Sequence, residues 1–322
     1  MSEHNIKLGV SLYSLTNEYV LEKWDLEECL AQAKEMGFEG IEIVAAQMVP
    51  NYPFPTDEWL SYFKGLLEKY DLKPVCWSAY IDMGLRSDRD LNEEEIFQYT
   101  LNDLIYAKKA GFDLVRTQHA ISPKIFKRMI PYCKQFGVKL AIEMHHPHHV
   151  RVPVWQEYME IFNGEGRGIL GVVPDFGIFQ DRPHQLFLQE ALESGFRKEL
   201  LDEIVALHKD GVPLKEVLKK DLTETERSYT EELYDKFNAV ARIEDLEELI
   251  SHTPYIHGKF YYLDEEKLDT GIPYEKILTK LKELGYNGYI ASEFEGHHFT
   301  NAFIAKEQLM RFVKMCTTIL NK

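Results

Sequence analysis

One ten-residue pattern recurs four times along this chain and limits what it can fold into. It reads KEMGFEGIEI from Lys34, KKAGFDLVRT from Lys108, KQFGVKLAIE from Lys134 and KELGYNGYIA from Lys282. Each copy is the last turn of a helix with a basic residue near its C-terminus, then a glycine, then an apolar β-rich run. Glycine reaches the left-handed conformation that closes a helix without steric cost. The lysine suits the negative end of the helix dipole. Four such helix-to-strand junctions imply strands alternating with helices, and hence a parallel sheet.

The same reading predicts eight strands: Ile6–Tyr13, Gly40–Val44, Lys73–Ala79, Asp113–Gln118, Lys139–Glu143, Ile169–Asp175, Tyr255–Phe260 and Gly288–Phe294. Helices fall between them at Asp25–Met36, Thr56–Lys69, Asn92–Ala110, Ser122–Phe136, Pro153–Phe162, Pro273–Leu284 and Ala302–Leu320. In the first, Leu26, Cys29, Leu30 and Ala33 hold the spacing of one buried face. Asn92, followed by three glutamates, reads as an N-cap with an acidic first turn. The expected fold class is α/β, a (β/α)8 TIM barrel, and 322 residues suit such a barrel carrying an insertion. A single domain is expected over residues 1–322, with a helical insertion between strands 6 and 7 at about Gly177 to Pro254. That stretch far exceeds a usual barrel connection. Its Leu200, Leu201, Ile204, Val205 and Leu207 need a buried face. It either decorates the barrel, covers the substrate or docks another subunit.

Composition narrows the partners. The chain is 45% hydrophobic and 28% charged, enough for a sizeable core. Its formal net charge of −16 argues against nucleic acid or an anionic membrane as partner. No apolar run approaches a membrane span. MSEHNIKLGV lacks a basic region followed by an apolar stretch, so a cytoplasmic location is expected. Cys29, Cys76, Cys133 and Cys316 lie far apart and are expected as reduced thiols.

Four strands carry a metal-ligating residue at or near their ends: Glu143 in KLAIEMHH, Asp175 in GVVPDF, His257 in YIHGKFYY and Glu293 in YIASEFEG. Singly, each acid reads as a helix cap, surface group or ion-pair member, and the histidine as structural. In a parallel barrel the C-terminal strand ends surround one site, so four successive ends converge. Three carboxylates and one imidazole make a shell suited to one divalent metal, Mn²⁺ or Mg²⁺, with Co²⁺ or Zn²⁺ as alternatives. Other residues near strand ends are candidates to line a pocket or to belong to the core: Tyr13, Trp77, Tyr80, His119 and Phe176. Arg116 and Gln118 can bind sugar hydroxyls, and Arg116 equally suits a buried ion pair. The run Met144-His145-His146-Pro147-His148-His149 follows Glu143 directly. It is a surface cluster, a second metal site or, through His145 on the face of Glu143, a general base.

With these residues the chain resembles the xylose-isomerase-like TIM-barrel superfamily of sugar isomerases and epimerases. The EGIEI segment around Glu42 and the HGK at His257–Lys259 add weaker likeness. The resemblance implies that Glu143, Asp175, His257 and Glu293 bind one divalent metal, often Mn²⁺. Many ketose 3-epimerases of that family carry a histidine three residues after the Asp ligand, where this chain has Ile178. The histidine cluster, DFGIF and the long insertion resemble more closely the α subunit of bacterial C-glycoside deglycosidases. Those enzymes pair a metal-binding barrel with a small β subunit and act on 3-oxo-C-glucosides of plant polyphenols.

A carbon–carbon bond between sugar and aryl ring cannot be hydrolysed as O-glycosides are, because the leaving atom has no lone pair to protonate. A C3 ketone changes this by acidifying the C2 proton. The resemblance therefore implies a metal-dependent lyase in which a base removes the C2 proton and the C1–aryl bond breaks by elimination. Catalytic roles are expected for His145, whose ordinary pKa suits a base near neutrality, and for Glu143 and Glu293. The alternative is a metal-dependent ketose 3-epimerase or aldose–ketose isomerase on free sugars, which begins with the same proton abstraction. Abasic-site endonucleases use a related barrel, but the acidic balance and the single four-residue shell argue against them. A binding-only barrel would show an incomplete shell.

Overall fold

Eight parallel strands form the centre of the computed structural model, which describes residues 5–118, 121–265 and 271–322. They are β1 (Lys7–Ser11), β2 (Gly40–Val44), β3 (Lys73–Ser78), β4 (Leu114–Thr117), β5 (Lys139–Met144), β6 (Leu170–Pro174), β7 (Tyr255–Phe260) and β8 (Tyr289–Phe294). Their order is β6-β5-β4-β3-β2-β1-β8-β7. An isolated parallel bridge between Asp175 and His257 joins the two outer strands. The result is the expected (β/α)8 TIM barrel, with a helical layer packed around it.

All four junction glycines take positive φ: Gly37 at 94°, Gly111 at 95°, Gly137 at 64° and Gly285 at 70°. The helix Leu26–Glu35 buries Leu26, Cys29, Leu30 and Ala33 and starts from an Asp25–Glu28 capping box. Asn92 caps Glu93–Ala110 in a second capping box with Glu95. These helices are placed by burial: removing a fully buried side chain such as Leu30 costs about 2–5 kcal/mol.

Two helix boundaries depart from expectation. The stretch expected as Ser122–Phe136 is two helices, Pro123–Arg128 and Ile130–Phe136, broken beside Pro131, because proline has no amide hydrogen to give to the preceding turn and its ring crowds that turn's carbonyl. The last helix begins at Ala305 rather than Ala302.

Between β6 and β7 the chain is helical, with Gln185–Glu193, Lys198–Lys209 and Glu224–Lys236 as its longest elements. Ala191, Phe196, Leu201, Ile204 and Val217 form one small apolar cluster there, and Phe187, Leu233 and Phe237 another. The ends of the stretch behave differently. Ile178, Phe179, Ala241, Leu246 and Leu249 pack into the barrel core, and the Ile178 carbonyl accepts from the amides of Val240 and Ala241. Among the described residues, no helix is long and apolar enough to cross a membrane.

Candidate metal centre

Strand alternation builds the site in two storeys. Cys76, Leu114, Ala141, Val173, Tyr255 and Ala291 form a buried apolar cluster. Two residues further along the same strands stand Ser78, Arg116, Glu143, Asp175, His257 and Glu293, on the same inward face. With Ser11 and Glu42 from β1 and β2, they are eight buried polar side chains, one from each strand or its end.

Glu143, Asp175, His257 and Glu293 come together as expected: one ligand atom from each lies within 4.8 Å of the others, and all four residues are buried. Among the described residues this is the one such group of three or more. His257 Nδ1 lies 2.7 Å from Glu143 Oε1 and 3.3 Å from Glu293 Oε1. Its Nε2 lies 3.0 Å from Glu42 Oε2, and Ser11 Oγ donates to the other oxygen of Glu42 at 2.6 Å. Arg116 donates to Glu143 Oε2 at 2.9 Å and to Ser78 Oγ at 2.6 Å. Gln118 Nε2 reaches the same Glu143 oxygen at 3.4 Å. Lys259 Nζ donates to Asp175 at 3.2 Å and pairs with Glu295 at 2.9 Å. The Gly177 amide donates to Asp175 Oδ1 at 2.5 Å. A Cβ on Gly177 would meet that oxygen and Lys259 Cδ at 2.9 Å, so the close approach needs glycine.

The residues fit a divalent cation. Glu293 Oε2 is buried without a hydrogen-bond partner, an arrangement that costs free energy unless a cation completes it. Nδ1 is the His257 nitrogen turned toward the other ligands, which leaves Nε2–H to donate to Glu42, as ligating histidines donate to a supporting carboxylate. The charges agree. Burial opposes the charged form of His257, yet Glu293, Glu42 and Glu143 raise its pKa well above the ordinary value. Burial likewise opposes ionisation of Glu143, but Arg116 and His257 hold its carboxyl well below the usual range. Glu293 falls to about 2 against burial, drawn down by His257. Asp175 rises to about 8 through burial, against the pull of Lys259 and with Glu293 and Glu143 adding to the rise. So much negative charge around one imidazole suits a bound cation.

A cavity of about 530 Å³ opens above the site, with Glu143, Arg116, Lys259 and Glu293 at its base and Tyr13 and His145 on its walls. Val44, Ala46 and Tyr80 line it as well, and Tyr80 is half exposed. A neighbouring cavity of about 220 Å³ shares His145 and Lys259 and is lined by Asp175, His184, Phe237 and Tyr261. His145 is half-buried just past β5, its Nδ1 2.8 Å from the His146 carbonyl oxygen. The rest of the histidine run scatters. His146 faces the smaller cavity, His148 sets its ring against Trp155, and His149 accepts from the Arg151 amide.

Two of the residues left open between pocket and core belong to the core. Trp77 is fully buried and donates to Asp103 at 3.0 Å, because alternation turns it away from its inward neighbour Ser78. Phe176 is fully buried against Phe179 and Tyr274. Tyr13, Tyr80 and Gln118 line the cavity, and Arg116 is both a lining residue and a buried ion-pair member. His119 lies outside the described residues. Sequence reasoning gave no role to Glu42, Ser11, Ser78, Lys259 or Glu295. The period of two could have found the first three, since each shares its strand's inward face.

Fold and site define the class: the chain belongs to the xylose isomerase-like TIM barrel family, whose model matches residues 30–315, and it is an enzyme. Within that class it is similar, at 31% identity over 314 residues, to the 3′-dehydrocarminate deglycosidase alpha subunit of a Microbacterium species, covering 91% of this chain and 89% of that one. It is 26% identical over 314 residues to a C-glycoside deglycosidase alpha subunit of Arthrobacter globiformis, covering 91% and 85%. Solved structures share the fold. A D-allulose 3-epimerase from Methylomonas sp. superposes with a TM-score of 0.57 at 10% identity over 98% of each chain. An IOLI protein with a bound zinc atom gives 0.58 at 16% identity, again over 98% of each.

Proposed function

We propose that this chain is the metal-binding α subunit of a C-glycoside deglycosidase, a carbon–carbon lyase acting on 3-oxo-C-glucosides of plant polyphenols. The observation that carries the reading is the buried Glu143–Asp175–His257–Glu293 cluster at the base of an open cavity with His145 on its wall. The two alpha-subunit relatives, each matching most of its length, support it. In this reading the metal is Mn²⁺, the chain works in the cytoplasm, and a small second subunit completes a hetero-oligomer.

Glu143, Asp175, His257 and Glu293 would hold a divalent ion, which would supply Lewis-acid polarisation of a substrate carbonyl. The chain's own residues do the rest. With its Nδ1 proton donated to the His146 carbonyl, His145 carries its lone pair on Nε2 and takes the C2 proton. Arg116 and Gln118 fix the orientation of Glu143, and Lys259 fixes Asp175. Val44, Ala46 and Tyr80 give an aromatic aglycone an apolar wall.

The epimerase alternative is less well served. At the position where many ketose 3-epimerases carry a substrate-binding histidine, Ile178 is fully buried in the barrel core. The test supplies the enzyme, together with its co-expressed partner, with a 3-oxo-C-glucoside and separately with free ketoses. Aglycone release is expected, and His145→Ala should keep fold and metal while losing at least ~10²-fold in turnover. Epimerised ketose beside untouched C-glucoside would install the alternative. Full turnover in His145→Ala would remove His145 from the chemistry.

A further inference from the structure

Elimination of an aryl group moves two protons. One leaves C2, and a second must reach the aryl carbon as its bond to C1 breaks. His145 accounts for the first. Several groups at the base of the cavity are already engaged. Glu143 and Glu293 are metal ligands. Arg116 is locked on Glu143 and Ser78. Lys259 is held between Asp175 and Glu295.

Tyr13 is placed differently. It follows β1 and lines the same cavity as His145, which follows β5. In the barrel order three strands separate β1 from β5 in either direction, so the two side chains come from opposite walls. Of the mouth residues, Val44 at the end of β2 and Ala46 just after it stand next to the Tyr13 wall, and Tyr80 follows β3, midway between β1 and β5. A sugar lying over the metal ligands with its aglycone toward that mouth would present C2 to one wall and the aryl carbon to the other. Tyr13 is also held in place. Its hydroxyl lies 3.0 Å from His298 Nε2, and its ring meets the His297 ring edge-on at 5.0 Å. Thr16 Oγ1 donates to its carbonyl at 2.7 Å.

Resting on the lyase reading above, we infer that Tyr13 is the acid that protonates the departing aryl carbon, with His298 as the positioning residue behind it. The steps balance. His145 takes the C2 proton, and the C–H pair forms the C2=C3 bond of an enolate. As the C3 carbonyl re-forms, that pair becomes the C1=C2 bond. The C1–aryl pair leaves with the aryl carbon and takes up the phenolic proton of Tyr13. The phenolate regains a proton through His298. Net, one C–C bond gives an unsaturated keto sugar and an aryl C–H, with no oxidant or reductant. Burial, then Glu295 and Glu293, push the phenol up to about 12, so it arrives protonated. A stepwise path lets acid and base act from different walls.

The experiment separates the two protons. The complex with its partner subunit is given a 3-oxo-C-glucoside in D₂O, and both aglycone release and deuterium at C2 of recovered substrate are followed. Tyr13→Phe should lose at least ~10²-fold in cleavage while recovered substrate still gains deuterium at C2. His298→Gln should shift the same partition toward exchange, to a smaller extent. Wild-type cleavage rates in Tyr13→Phe, or cleavage and exchange lost together in either variant, overturn the role of that residue alone. A wild-type complex that neither releases aglycone nor exchanges C2 overturns the lyase reading and Tyr13 with it.

Discussion

Strands β7 and β8 pair along their whole length, Tyr255–Phe260 against Tyr289–Phe294. Strands β6 and β7 meet at a single bridge, Asp175 with His257. Both residues of that bridge belong to the cluster that could hold a metal, and the long helical stretch leaves and re-enters the barrel at this seam. A barrel needs each strand hydrogen-bonded to two neighbours to have no edge. At the seam other contacts stand in for the missing ladder. Lys259 of β7 donates to Asp175, and the chain before β7 packs so closely on β6 that a Cβ at Gly171 would meet the His252 carbonyl oxygen at 2.3 Å. The part of the barrel with the weakest ladder is thus the part whose side chains gather the charge. Here side-chain contacts of the site supplement a single backbone bridge, whereas β7 and β8 share a full backbone ladder.

The largest effect is expected from removing the helices at the seam. Because the Val240 and Ala241 amides bond to Ile178, a short link replacing residues 184–237 can span the gap and leave the core-packed ends in place. Such a variant loses His184 and Phe237 from the smaller cavity. It should keep the barrel's circular dichroism while losing assembly with a partner or turnover by roughly 10²-fold, the scale of a misplaced active-site wall. Full activity with an unchanged oligomer would mean that these helices are decoration and that the seam closes without them.

How much of this was readable in advance depended on range. The junction glycines declare themselves within ten residues, and all four take the left-handed conformation. The four clustered side chains declare themselves because each stands at or near the end of an apolar strand, and barrel geometry brings strand ends together. What stayed hidden is who pairs with whom across the barrel. Glu42 reaches His257 over 215 residues of sequence, and His184 stacks on Tyr261 from a different element. No local pattern encodes such pairs. The two readings left open for Trp77 are of another kind: strand parity turns it outward, one residue from Ser78, and that was legible.

Metal removal should act next, and unevenly. A ligand that binds only the folded state stabilises it by about 2.7 kcal/mol at one hundred times its Kd. Stripping the metal should lower the melting temperature accordingly. Amide exchange should rise around residues 175–180 and 255–260 while the β1–β2 ladder stays protected. Glu293→Gln and His257→Ala should each lower bound metal in elemental analysis of protein purified without chelator. Unchanged metal in both variants, or uniform exchange across the barrel, would separate the seam from the metal.

The smallest effect concerns the joint where the inserted helices meet the loops after β7 and β8. The buried His184 ring stacks on Tyr261 at 4.3 Å and packs against Phe299 at 4.7 Å and Phe237 at 5.6 Å. Its Nδ1 accepts from the Phe187 amide at 3.2 Å and so caps the first long helix. Burial, then Lys236, lowers its pKa to about 3. A histidine depressed below its unfolded value of about 6.5 contributes stability that is complete above that value and is lost as pH falls toward about 3. At pH 5 the loss for this one group is about 2 kcal/mol. His184→Asn keeps a side-chain acceptor for the cap and removes the titration. Limited proteolysis of the inserted helices should therefore accelerate between pH 7 and pH 5 in the wild type and much less in His184→Asn. Equal acid sensitivity in both would place the pH dependence of the joint on other groups.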